Sequence, residues 1–200
     1  MVVRRALDGM YFDSVIAHYQ ACWGAEPTEH RFDQGPVHEQ PAGFRVLRFG
    51  PTVHRAMWTY ATCGMSGVKT PPADKHYAKH HGLELHVLSA QENDSLVELL
   101  TIVAWFHTSR ELLGHGHTVN FGRPWYPGSE CDHGLLSSPY LDGPSLELRR
   151  LGSREVEFLW LIPITEKERD FKMAQGLDAL EELFERTSFD YLDPFRPSVV

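Results

Sequence analysis

Histidine offers this sequence its widest choice of chemistry: there are twelve, and two small groups stand close enough to suggest a metal. His115 and His117 flank Gly116, while Cys131 and His133 flank Asp132. Imidazoles two residues apart cannot share one helical face, but they fall on one side of a strand or converge from a loop. A catalytic zinc site needs three such ligands and an open position, where bound water becomes a nucleophile near neutral pH. A hydrolase using His115, His117 and His133, with Asp132 beside them, is therefore one reading. The spacing matches neither H-E-x-x-H nor another metal-ligand set, and polar loop and edge histidines are the commoner use of the residue. No metal or other cofactor is expected.

Nucleophile motifs are missing as well. Gly64-Met65-Ser66-Gly67 lacks the spacing of a G-x-S-x-G elbow and reads as the turn after a strand, with Gly64 at positive φ and Ser66 closing a side-chain turn. There is no P-loop and no G-x-G-x-x-G, so nucleotide binding by those devices is excluded. Cys63 reads as a small core hydrophobe, since nothing beside it in sequence marks a lowered thiol pKa. The pairs Glu166/Glu168 and Glu181/Glu182 fall at a helix start and on a polar helix face, where dipole and solvation account for them. The expectation is a protein that is not an enzyme.

Composition narrows the partners. The chain has 200 residues, 42% hydrophobic and 12% aromatic, enough for one core, and no linker divides it. Its formal net charge is -8, from 19 Lys and Arg against 27 Asp and Glu. The basic residues are scattered, which argues against nucleic acid and leaves a basic protein partner open. Cys22, Cys63 and Cys131 are far apart and form no C-x-x-C, so neither a disulfide framework nor a thiolate metal site is indicated. The first ten residues carry no signal-peptide core, and no apolar run approaches the roughly 20 residues of a membrane helix. The expected address is the cytoplasm, with no membrane partner.

The elements that must position these residues follow from periodicity. Residues 12–23 predict an amphipathic helix, with Val15, Ile16, Tyr19, Cys22 and Trp23 on one stripe. Residues 26–43 predict an irregular connection or a short edge strand. Strands are predicted over 44–49, 55–63 and 83–88, separated by a loop over 66–82. Residues 95–113 predict a helix opened by a Ser95/Glu98 capping box and ended by Gly114, apolar over so much of its circumference that it must be buried. A short strand over 118–121 and a Gly/Pro-rich excursion come next. Residues 146–151 and 155–162 then read as a β-hairpin, the second strand apolar on both faces and so central. Thr165 and Glu168 form another capping box, and Gly176 interrupts the helix it opens. The fold class is α+β: a mixed, mostly antiparallel sheet with helices packed on it.

Several segments in order resemble the suppressor of fused domain. They are Trp58-Thr59-Tyr60-Ala61-Thr62-Cys63-Gly64-Met65-Ser66, then Gly82-Leu83-Glu84-Leu85-His86, then the helix through Trp105 and Phe106. Gly116-His117-Thr118 and Leu135-Leu136 before Pro139 follow. The most diagnostic are Ile162-Pro163-Ile164-Thr165-Glu166-Lys167-Glu168 and the closing Arg196-Pro197-Ser198-Val199. The resemblance covers roughly residues 10–199. It implies a SUFU-like fold and a protein-binding role. Animal members have two domains and clamp a short peptide strand between them; this chain is similar to the N-terminal one, with Gly116 where their Gly-Asp-His carries its acid. Stand-alone bacterial members are thought to be immunity proteins that neutralise a polymorphic toxin.

The leading expectation is thus a non-enzymatic binding module whose partner is a protein such as a basic toxin domain; the alternatives are a scaffold that adds a peptide strand to a sheet edge and the histidine-based hydrolase. Loops on a rigid scaffold are where a binding surface is sought, which selects residues 66–81 and 121–140. The candidate binding residues are Ser66, His115, His117, Trp125, Tyr126 and Asp132. Trp125 and Tyr126 suit an interface if exposed and cap the core if not.

Overall fold

The structure, a computed structural model, describes residues 9–33, 40–68, 81–187 and 189–200. It begins with helix α1 (Gly9–Trp23), followed by strands β1 (Pro27–His30), β2 (Arg45–Phe49), β3 (Trp58–Cys63) and β4 (His81–Ser89). Helix α2 (Ser95–Ser109), strands β5 (Thr118–Asn120) and β6 (Cys131–Ser137) and the single turn α3 (Pro144–Glu147) come next. Strands β7 (Leu148–Leu151) and β8 (Arg154–Thr165) precede helices α4 (Glu166–Gln175) and α5 (Leu177–Arg186). The strands join in the order β1-β2-β3-β4-β8-β6-β5, with β7 also on β8. Among the described residues only β4 and β8 run parallel, so the expected α+β class with a mostly antiparallel sheet is what the chain adopts.

Strand β8 shows how sequence dictates the layers. Its side chains alternate, so Leu159 and Leu161 face one side while Val156, Phe158, Trp160, Ile162 and Ile164 face the other. Leu159 and Leu161 pack with Leu96, Leu100 and Val103 of α2. On the opposite side Val156 and Phe158 meet Phe12, Val15, Tyr19 and Trp23 of α1. Further along, Trp160, Ile162 and Ile164 meet Leu180 and Phe184 of α5. One long strand therefore serves three helices, with α1 and α5 on the same face at different points along it. Its second edge is also divided, β7 covering residues 154–157 and β6 residues 160–165.

Three sequence expectations need correction. The helix over 95–113 closes at Ser109, where Leu113 N–H donates to His107 Nδ1 at 2.9 Å instead of continuing the spiral. Its start is not a Ser95/Glu98 box: Asn93 Oδ1 accepts from both the N–H and the hydroxyl of Ser95, at 3.1 and 2.7 Å. The 121–140 excursion contains β6, whose Cys-Asp-His-Gly run hides any period-two signal. Gly134 stands there because a Cβ would lie 2.6 Å from both Leu161 and the Phe121 ring.

Candidate functional site

Most groups with chemistry to offer are held inside the fold. The turn Met65–Gly67 leaves β3 through Gly64, whose φ of 108° suits only glycine. This turn aims Gly64 N–H, Ser66 N–H and the Ser66 hydroxyl at Glu84 Oε1, while Thr62 Oγ1 donates to Oε2 at 2.6 Å. Glu84 is fully buried, and burial pushes its pKa up against the pull of these hydrogen bonds. Ser66 is equally buried, and its carbonyl accepts from Arg154. As a candidate binding residue it offers no surface; it fastens β3 to β4. Residues 69–80 of the predicted 66–81 binding loop lie outside the described residues.

The histidines do not converge. His117 is exposed, and its carbonyl accepts from Leu136 N–H at the start of the β5–β6 pairing. Asp132 lies toward the other end, at a register irregularity in β6, with its carbonyl accepting from Phe121 N–H and its Oδ1 2.7 Å from His133 Nδ1. The four residue steps of extended chain from Asp132 to Leu136 span roughly 13 Å. His115 Nε2 lies 3.3 Å from Ser138 Oγ. Among the described residues no three metal-ligating side chains gather, so the hydrolase reading finds no site.

Other titratable groups are tuned away from reactivity. Burial lowers His86 to about 3, with Arg55 adding repulsion, and His107 to about 4. Both are uncharged at neutral pH. Asp142 accepts from Arg55 and, at 2.9 Å, from Trp23 Nε1, tying the turn before α3 to α1. Burial also raises the thiols of Cys22, Cys63 and Cys131, which weakens them as nucleophiles.

The two most diagnostic sequence segments meet at one buried ion pair. Thr165 and Glu168 form the reciprocal capping box that opens α4. Arg196 then lays its guanidinium on Glu168, Nη1 to Oε1 at 2.7 Å and Nη2 to Oε2 at 2.8 Å. Nη2 also donates to Pro163 O, and Val199 N–H to Glu168 Oε1, both at 3.0 Å. This clamp anchors the segment before it, which Asp190 and Asp193 shape into turns. Asp190 Oδ1 accepts from Leu192 and Asp193 N–H groups, and Asp193 Oδ1 from Phe195 N–H.

Between that segment and the end of β4 lies an open groove of about 350 Å³. Trp125, Tyr126 and Phe195 supply its aromatic walls, with Tyr126 edge-on to Phe195 at 5.6 Å. Trp125 is only 6% exposed, and its Nε1 is buried with no hydrogen-bond partner among the described residues. Phe195 is 61% exposed. The exposed Asp190 and Asp193 flank the groove, and none of its lining residues is Lys, Arg or His. The groove thus combines an apolar, aromatic wall with two solvent-facing carboxylates and the Ser89 hydroxyl at the end of β4. Trp125 and Tyr126 are among the candidate binding residues read from the sequence, whereas the wall formed by residues 190–195 is not. The Asp190-x-x-Asp193-x-Phe195 spacing, with its carboxylate-to-amide turns, was the signal available for the other wall.

Comparison with known proteins gives the following likenesses. The family model described as Suppressor of fused protein (SUFU) matches residues 40–197. A crystal structure described as a suppressor of fused homolog from Neisseria gonorrhoeae FA 1090 is 30% identical, with a TM-score of 0.79, over 95% of this chain and 97% of that one. The Sufu-Fu complex structure is 13% identical with a TM-score of 0.68, over 94% of this chain and 92% of that chain. Drosophila Suppressor of Fused is 14% identical with a TM-score of 0.67; it covers 99% of this chain, which spans 52% of its length. The last two likenesses show the fold alone. No curated protein matches in sequence.

Proposed function

This chain belongs to the suppressor of fused family, and on that premise we propose that it is a protein-binding module with no catalytic step of its own. Residues 1–200 act as one suppressor of fused-like domain, working in the cytoplasm as a bacterial immunity protein that masks a basic toxin domain. The observation carrying this reading is the division of side chains just described. Glu84, His86, His107, Cys63 and Cys131 are enclosed in the core, while the open groove presents aromatic rings and carboxylates. A relative of the same fold was solved as a Sufu-Fu complex, which supports a protein as the partner. The net charge of -8 suits a basic one. We place the contact surface at the groove, with Tyr126 on it and Trp125 as its wall, extending along β6 past Asp132 toward His115 and His117.

Co-expression with the toxin-like product of a neighbouring gene tests the proposal. The expected result is a stoichiometric complex on size exclusion and rescue of growth from the toxin. A chain that neither binds nor protects against any neighbouring toxin ends the immunity role. A second reading, addition of a peptide strand, is favoured by β5 closing one end of the sheet with its outer edge unpaired among the described residues. Isotope-edited NMR with a bound peptide separates the two, since strand addition protects the amides of β5 and groove binding does not.

A further inference from the structure

We propose that the groove between Trp125-Tyr126 and residues 190–195 is a receptor for an arginine side chain of the partner protein. This rests on the protein-binding reading above and goes further, naming the chemistry that the site selects. Three features of the groove favour a guanidinium. First, aromatic faces attract a cation through the negative face of the ring, and the planar guanidinium also stacks on them. Tyr126 and Phe195 stand edge-on at 5.6 Å, and Trp125 is 6.4 Å from Tyr126, so three rings share one small space.

Second, the charges have one sign. Asp190 and Asp193 flank the groove, and no cationic side chain lines it to neutralise them. Their turn hydrogen bonds use Oδ1 of each carboxylate. Each therefore keeps its second oxygen for the outward-facing N–H groups of a guanidinium. Arginine is preferred to lysine because its planar fork can stack and donate to two acceptors together, which a compact ammonium on a flexible stem does poorly.

Third, one groove residue carries an unmet polar demand. Trp125 Nε1 is buried with no acceptor among the described residues, an arrangement that costs free energy in the unbound protein. An acceptor on the partner backbone relieves it only if the indole shifts, since Nε1 has no exposed surface in this structure. The volume of about 350 Å³ suits one long side chain with its adjoining backbone rather than a whole helix. The floor is firm: the Glu168–Arg196 clamp fixes the 190–195 segment from behind, so the groove does not have to be assembled on binding.

Titration of the full-length protein with the capped tripeptide Gly-Arg-Gly, followed by NMR, is the test. Matched peptides carrying citrulline, norleucine or glutamate in place of arginine are the comparison arms. The arginine peptide is expected to shift the Trp125 indole N–H and the amides of 190–195 saturably. The neutral but nearly isosteric citrulline peptide should bind about tenfold more weakly, and added salt should narrow that gap. Asp190→Asn with Asp193→Asn keeps the Oδ1 acceptors that shape the turns while removing the charge, and should lower affinity about fivefold. Equal binding of arginine and citrulline peptides, preference for norleucine or glutamate, or no shift at Trp125 with any peptide overturns the proposal. The protein-binding reading is tested separately. Capture of the neighbouring toxin that is unaffected by Tyr126→Ala and Phe195→Ala would leave that reading standing and overturn the arginine receptor.

Discussion

Glu84 and Glu168 are both fully buried, and the chain satisfies them in opposite ways. Glu84 is held by two backbone N–H groups and two hydroxyls, all neutral and all from the strand end and turn over residues 62–66. Glu168 faces the guanidinium of Arg196, which comes from far along the chain. A neutral cradle supplies geometry without countercharge, so burial wins and the Glu84 carboxyl is pushed toward its protonated form. The glutamate-arginine pair joins two segments distant in sequence, and its integrity depends on both charges being present. One region is a neutral knot and the other a charged clamp.

Breaking the clamp should have the largest effect. Arg196→Met leaves the Glu168 carboxylate buried without its cation and should cost about 3–5 kcal/mol in urea unfolding. Adding Glu168→Met should restore part of that loss, because a well-packed apolar pair avoids the stranded charge. If the double variant is no more stable than the single one, the pair is not what makes the site fragile.

The knot should come second. Glu84→Ala strands its donors and opens a cavity, for an expected loss of about 2–4 kcal/mol. Glu84→Gln sharpens the contrast, since an amide keeps the acceptor for Gly64 and Ser66 and carries no charge. In the native protein the raised pKa means that Glu84's contribution is complete below the unfolded value near 4.5. It is lost as pH rises through the folded value, because the unfolded chain releases its proton first. Urea midpoints should therefore show the native protein losing ground to the Gln variant as pH rises above the unfolded value near 4.5. Parallel curves for the two would mean that Glu84 is ionised throughout and that the two regions differ less than their donors suggest.

Removing the cap alone is the smallest change. Thr165→Ala deletes one half of the reciprocal box but leaves Arg196 on Glu168, so about 1 kcal/mol is expected by thermal or urea unfolding. A loss as large as that of Arg196→Met would show that the cap, and not the ion pair, orders this end of the protein.

The same contrast explains what could be read in advance. The Thr165/Glu168 box is legible because both partners lie within one helical turn and their spacing encodes the contact. That Arg196 completes it was invisible to periodicity; the two segments stood out only through family resemblance. Strands β3, β4 and β8 announced themselves by their aromatic and β-branched composition, whereas β6 did not, because Gly134 answers to the side chains pressing on it from Phe121 and Leu161. The α2 cap was misplaced for a related reason: Ser95 and Glu98 satisfy the pattern, but Asn93 takes both the N–H and the hydroxyl of Ser95 that the box would use. In the groove, the Trp125-Tyr126 wall was visible as aromatics in a Gly/Pro-rich stretch. The opposite wall depends on a tail whose position is set by the clamp.

Strand β8 also dictates how the chain must find its fold. Its parallel seam with β4 brings residues from 81 onward against residues from 155 onward, with α2, β5 and β6 looped out between them. No local turn can nucleate such a pairing, and the entropy of closing that long loop falls before most of the sheet's contacts can compensate it. The β1–β4 meander and the β7–β8 hairpin can each collapse early, but they remain two half-sheets until this seam closes. Folding should therefore occupy the slow range of roughly milliseconds to seconds, with the open edges of β4 and β8 the surfaces most exposed to misassociation while it lasts.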